Sequence, residues 1–183
     1  MLSLIAALLV QDAAAAPVVT EFEVRGYRSS QTIEIAAPRE AVWEAATGDV
    51  SMWWDHTFKA DRVELVIEPE FGGRFYERFR EGEDSGALHA DIIYVDAPSV
   101  LRMNGPLGLQ DRSYDLIITW TLAEGDDGMT DFTVDLAMHG EIDAALAEVV
   151  HNVWTHFIGG RLKTYMESGC YRAPETPCGA FEN

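Results

Sequence analysis

The chain has 183 residues, 48 % hydrophobic and 24 % charged. That balance describes one globular domain with a core of its own and excludes a disordered or fibrous chain. Lys and Arg total 13 against 31 Asp and Glu, a net charge of −18. So acidic a surface repels phosphate backbones and argues against nucleic-acid binding or charge-driven attachment to an anionic membrane.

Residues 2–10 carry no charge, and the run is too short to span a bilayer, which takes about 20 apolar residues. An apolar run followed by Ala13-x-Ala15 is the pattern of a secretory signal peptide cleaved after Ala15. The segment ahead of the run has no Lys or Arg, and the alternative is an N-terminal helix docked on the domain. No Cys follows the run, which excludes a lipoprotein anchor and leaves no membrane anchor of that kind. The expected organisation is signal peptide 1–15, extension 16–29, domain 30–169 and C-terminal loop 170–183.

Thr32, Ile33, Glu34 and Ile35 alternate with the period of a half-buried strand. Pro38 suits the first turn of a helix over 39–46, where a missing N–H costs nothing, and Gly48 stops it. Val50 to Trp54 is short and apolar and predicts a second helical turn. Six further strands are expected at about 63–67, 74–79, 88–95, 100–104, 114–122 and 130–138. Turn residues separate them, among them Phe71-Gly72-Gly73, Gly105-Pro106 and Gly125-Asp126-Asp127-Gly128. Such short connections mean antiparallel neighbours. Residues 142–167 form the longest helical pattern, with Leu146, Val150, Val153 and Phe157 in one stripe. Gly159-Gly160 interrupts it and predicts a bend or a close approach to the sheet, and Gly169 ends it.

The order is strand, two short helices, six strands, long helix. It predicts an α+β arrangement: a curved antiparallel seven-stranded sheet whose apolar face wraps the long C-terminal helix, often around a cavity. Cys170 and Cys178 lie in a Pro-containing loop. A disulfide is expected between them in an oxidising compartment, whereas in the cytosol both stay reduced. No protein partner can be named.

Four segments carry a resemblance. They are Ile33 to Trp43, Trp53-Trp54 after the first helix, Phe71-Gly72-Gly73-Arg74-Phe75-Tyr76-Glu77, and the terminal helix from Trp154 to Gly169. In order and spacing they resemble the SRPBCC (START-like, helix-grip, birch-pollen-allergen-like) superfamily, in particular its group similar to the activator of heat-shock ATPase. That resemblance implies the helix-grip fold. It also implies a function drawn from a wide range: binding of lipids or other hydrophobic molecules, cyclase or hydrolase activity, or a partner-binding module.

Gly-x-Ser-x-Gly, phosphate-loop, dinucleotide and His-Glu-x-x-His motifs are absent from the sequence. No cofactor is expected. His151 and His156 are five apart, about 140° around an α-helix, and cannot share one ion; no metal site is expected among the five histidines. In the strand at 74–79, Phe75, Glu77 and Phe79 share a face. Either Glu77 looks into the cavity, as an acid–base, a polar anchor or one half of a buried ion pair, or it faces outward or pairs with Arg102. In the strand at 88–95, Leu88, Ala90, Ile92 and Tyr94 form the more apolar set, so His89 and Asp91 are expected outside. On the last two strands Leu116, Ile118, Trp120 and Leu122, and Phe132, Val134, Leu136 and Met138, point inward. Trp53, Trp54, Phe75, Trp120, Phe132, Val134, Val153, Trp154 and Phe157 are candidates for either a solid core or the wall of a hydrophobic pocket. Glu77 would be the polar contact. The leading expectation is a binder of a small hydrophobic or amphipathic molecule, exported to the periplasm or secreted. The alternatives are an enzyme of cyclase or hydrolase type in the same cavity and the partner-binding module.

Overall fold

The computed structural model describes residues 19–109 and 111–181. The signal peptide expected over 1–15 lies outside the described residues. Eight antiparallel strands form one sheet: β1 (Arg25–Ile35), β2 (Gly48–Asp49), β3 (Glu64–Ile67), β4 (Arg74–Arg78), β5 (Gly86–Asp96), β6 (Val100–Asn104), β7 (Tyr114–Glu124) and β8 (Thr130–Gly140). Their spatial order is β1-β8-β7-β6-β5-β4-β3-β2. Helix α1 (Arg39–Ala46) follows β1, and a terminal helix covers 144–167. One strand more than the expected seven is present. The addition is β2, two residues that pair with Val66 and Ile67 where Gly48 turns at φ +74°. Val50 to Trp54 forms a single turn, closed by the Trp54 N–H on the Val50 carbonyl at 2.9 Å. β1 begins at Arg25 and pairs along its whole length with β8.

The inward faces of β7 and β8 alternate as the sequence pattern predicts. Leu116, Ile118, Trp120 and Leu122, and Phe132, Val134, Leu136 and Met138, are all buried. The terminal helix lies across this face. Asp143 caps it by accepting the Leu146 N–H at 2.8 Å, which satisfies one of the donors a helix start leaves open. The helix changes character part-way: α2 (Ala144–Trp154) is α-helical, Thr155–Leu162 is π-helical, and α3 (Lys163–Glu167) returns to α. Gly159 sits in the π stretch, where a side chain would meet Ile33 of β1 and Thr155 at the ordinary contact distances of 3.5–4.0 Å. The interruption expected at Gly159-Gly160 takes the form of this π stretch, and not of a close approach to the sheet that requires glycine. Beyond α3, Gly169 adopts the left-handed conformation at φ +80°, and Cys170 and Cys178 are joined by a disulfide. Such bonds persist in oxidising compartments. Among the described residues no helix is long and apolar enough to cross a membrane.

A candidate binding cavity between sheet and terminal helix

A cavity of about 280 Å³ opens between the sheet and the first half of the terminal helix. Leu146, Val149, Val150, Val153 and Trp154 line it from α2, and Phe157 from the π stretch. Trp54 stands opposite, stacked on Phe157 with centroids 3.7 Å apart and planes at 19°. Leu116 supplies the floor and the loop 106–109 one side, while Phe58 and Val149, both exposed, stand at the rim.

The candidates read from the sequence divide into two groups. Trp54, Val153, Trp154 and Phe157 line the cavity. Trp53, Phe75, Trp120, Phe132 and Val134 are buried but outside the lining. They form the packed wall behind it: Phe75 meets Trp54 edge-on at 5.0 Å and Trp120 meets Trp154 at 5.9 Å. Space near these positions is taken up by ring-on-ring packing.

Glu77 points inward, 1 % exposed, yet it does not reach the lining. Its carboxylate accepts the Phe58 N–H with both oxygens, at 3.0 and 3.1 Å, and Oε1 lies 3.0 Å from His89 Nε2. Arg102 is engaged elsewhere, donating to Thr119 and lying over the Tyr94 ring. The residue that meets the cavity is His89, which is 5 % exposed and lies between the rings of Phe58 and Phe75.

His89 corrects the period-two reading of its strand. Opposite β4, Phe75 pairs with Ala90 and Tyr76 with Leu88, so His89 is the extra residue of a β-bulge. A bulge turns the extra side chain out of alternation. His89 and Ala90 therefore both face inward, while Leu88, in the set expected inside, is 44 % exposed. A second irregularity between Ile92 and Tyr94 similarly leaves Tyr94 46 % exposed. Asp91 stays outside, as expected. Gly105 packs against the bulge: a side chain there would lie 2.3 Å from the His89 carbonyl oxygen. Only glycine permits that approach. The Leu107 N–H then donates to the same carbonyl at 3.1 Å, and the loop 105–109 is pinned beside the cavity.

Burial pushes the His89 pKa below its ordinary value, and the charge and hydrogen bond of Glu77 pull against that shift without overcoming it. The neutral ring then donates from Nε2 to the carboxylate, and the Nδ1 lone pair is left without a partner among the described residues.

A second polar group stands at the cavity edge. Asp55 faces His56 Nδ1 at 2.8 Å and His156 Nε2 at 2.8 Å, with Arg161 Nε 3.4 Å away. Burial raises the Asp55 pKa, but the hydrogen bonds from His56 and His156 and the charges of His156 and Arg161 outweigh it and hold the group low. His56, His156 and Asp55 are the described residues whose ligand atoms lie near enough to share an ion. Arg161 already supplies the cation, and it also donates to the Trp53 carbonyl at 2.9 Å. The cluster ties the π stretch to the segment 53–56 and so holds Phe157 against Trp54.

The family described as Activator of Hsp90 ATPase homolog 1-like protein matches residues 36–167. The chain belongs to that family. No curated protein matches it. Among solved structures it is similar to DynU16, from the dynemicin biosynthetic locus, at 22 % identity and a TM-score of 0.53 over 78 % of this chain and 48 % of that one. The chain thus spans about half the length of DynU16. It is also similar to a protein of Chromobacterium violaceum, at 19 % identity and a TM-score of 0.52 over 76 % and 96 % of the two chains. For a protein of Rhizobium leguminosarum the values are 16 %, 0.54, 79 % and 98 %. At these identities the likeness is one of fold, the helix-grip arrangement of the SRPBCC superfamily.

Proposed function

We propose that this family member binds a small hydrophobic or amphipathic molecule in the cavity between sheet and terminal helix. The carrying observation is the cavity itself, about 280 Å³ of space with a wall of Trp, Phe, Leu and Val and one buried imidazole. Ligand pockets run from about 300 Å³ upward and combine apolar walls with few polar groups. This space therefore suits a ligand of roughly ten to fifteen non-hydrogen atoms. The helix-grip fold, which commonly hosts hydrophobic ligands, supports the reading. Trp54, Val153, Trp154 and Phe157 would make the apolar contacts, and Glu77 would act through His89 instead of touching the ligand. The disulfide, together with the signal-like segment 1–15, supports a periplasmic or secreted protein.

Native mass spectrometry of protein from an exporting host tests this directly, because it reads the mature mass and any retained molecule together. Val153→Trp fills the cavity from α2 and should abolish the adduct while leaving the fold intact. If the wild type carries no adduct and binds nothing from a set of small aromatic and aliphatic probes, the reading fails.

The His89–Glu77 pair favours a second reading, an enzyme of cyclase or hydrolase type with His89 as the base. For such an enzyme Glu77→Gln should slow turnover by about 10²–10⁴, the usual contribution of a positioned acid–base group. A binder would keep most of its affinity for purely apolar ligands.

A further inference from the structure

We infer that the cavity selects ligands that present an acidic hydroxyl, of the phenol or enol kind, to Nδ1 of His89. The inference rests on the binding reading above and specifies its ligand class. Three observations lead to it. His89 is placed by a β-bulge, so its inward direction is a feature of the backbone; without the extra residue the alternation of β5 would carry the ring to the outer face. Its Nε2 is committed to Glu77, and Glu77 is itself fixed by the Phe58 N–H on both carboxylate oxygens. The ring is therefore held in one tautomer, with a lone pair rather than a proton at Nδ1. Finally, Nδ1 has no partner among the described residues and is not among the sealed, partnerless polar atoms, while the ring lines the cavity. An acceptor opening onto an apolar space costs free energy until it is paired.

The rest of the lining narrows the class. Trp54, Phe58, Trp154 and Phe157 present aromatic faces and edges and suit a flat ring system. Lys and Arg are missing from the described lining, and its second imidazole, His56, already faces the Asp55 carboxylate at 2.8 Å, so a carboxylate or phosphate would enter without a free counter-charge. A neutral hydroxyl acidic enough to donate strongly avoids that cost. Its proton is shared with Nδ1, and the carboxylate of Glu77 stabilises positive charge that builds on the ring. Glu77 is thus a positioning residue, and His89 is the contact.

Naphthalene and β-naphthol differ by one hydroxyl and are small enough for the space. Calorimetric titration of the full chain with each probe separates the inference from the reading beneath it. The hydroxyl should improve affinity about tenfold over naphthalene, the gain of one hydrogen bond to a charge-assisted acceptor. The methyl ether of β-naphthol, with the oxygen but no proton, should not show the gain. In His89→Phe, which keeps a flat ring, somewhat larger, and removes the lone pair, the two affinities should agree within about threefold. Should that variant fail to fold, Glu77→Gln serves instead. Its amide NH₂ donates to Nε2 and drives the proton to Nδ1, so the preference should fall and the ¹⁵N shifts of His89 should exchange their protonated and unprotonated signatures. Equal wild-type affinities for naphthalene and β-naphthol overturn the inference and leave the cavity reading standing. Binding of neither probe overturns both.

Discussion

Glu77 offers the sharpest test of how the site is built. In Glu77→Ala two donors, the part-buried Phe58 N–H and the buried His89 Nε2–H, lose the acceptor that satisfies them. An orphaned buried donor costs about 1–3 kcal/mol, a range that applies in full to His89, 5 % exposed, and at its lower end to the part-buried Phe58 N–H. The cavity left by the side chain adds to the loss. The total should be about 3–5 kcal/mol, in the range measured when one partner of a buried pair is removed. Glu77→Gln should cost far less. Its carbonyl oxygen accepts the Phe58 N–H, its NH₂ donates to Nε2, and the histidine changes tautomer, so the loss is about 1 kcal/mol, the difference between charged and neutral hydrogen bonds. Urea unfolding gives both values, with an unchanged slope if the denatured state is unaffected. In thermal unfolding Glu77→Ala should melt lower by about 2–4 °C per kcal/mol. An alanine variant within about 0.5 kcal/mol of wild type would mean that the contacts are not made, and the reasoning about His89 would fall with them.

Trp154 is 1 % exposed and meets Trp54, Trp120 and Phe157 edge-on at 5.8–5.9 Å. Trp154→Ala should destabilise by about 3–5 kcal/mol in chemical denaturation and enlarge the cavity; a near-zero change would mean the ring is a mobile wall. The lowered His89 pKa fixes a sign: the unfolded chain takes up a proton near pH 6.5 that the folded chain refuses, so stability is present above that pH and is lost as pH falls toward the folded value. The slope from this group is at most about 1.4 kcal/mol per pH unit, and His89→Phe should flatten the stability profile below pH 6.5; a profile unchanged by that substitution refutes the assignment. Reduction of Cys170–Cys178, which closes a loop of sequence separation 8, should cost about 2–3 kcal/mol. Thermal melts with and without reductant measure it, and identical curves would count against a stabilising role.

Much of the fold was legible along the chain. Period-two patterns at 114–122 and 130–138 and the stripe through Leu146, Val150, Val153 and Phe157 are local signals, because burial on one face imposes its period on the residues that supply it. The two-residue β2 left no such signal; it exists only because Val66 and Ile67 offer it an edge. The site was less legible. Trp54 and Trp120 are both buried tryptophans on inward positions, yet one faces open space and the other solid packing. That outcome depends on how rings from distant segments stack, which periodicity does not carry.

Composition and periodicity alone determined the acidic surface, the strand–helix order and the pairing of two nearby cysteines, since each is a property of residues close in sequence. Tertiary structure alone decided that His89 faces inward, that Glu77 reaches the cavity through it, and that Asp55, His56 and His156 meet. A bulge is a mismatch between two strands, visible only once Phe75 is set against Ala90 and Tyr76 against Leu88. Gly105, an ordinary turn residue in the sequence, becomes the residue that lets a loop close over that bulge. The chemistry of this protein is held by contacts between segments, and those contacts arise only when the sheet closes on its helix.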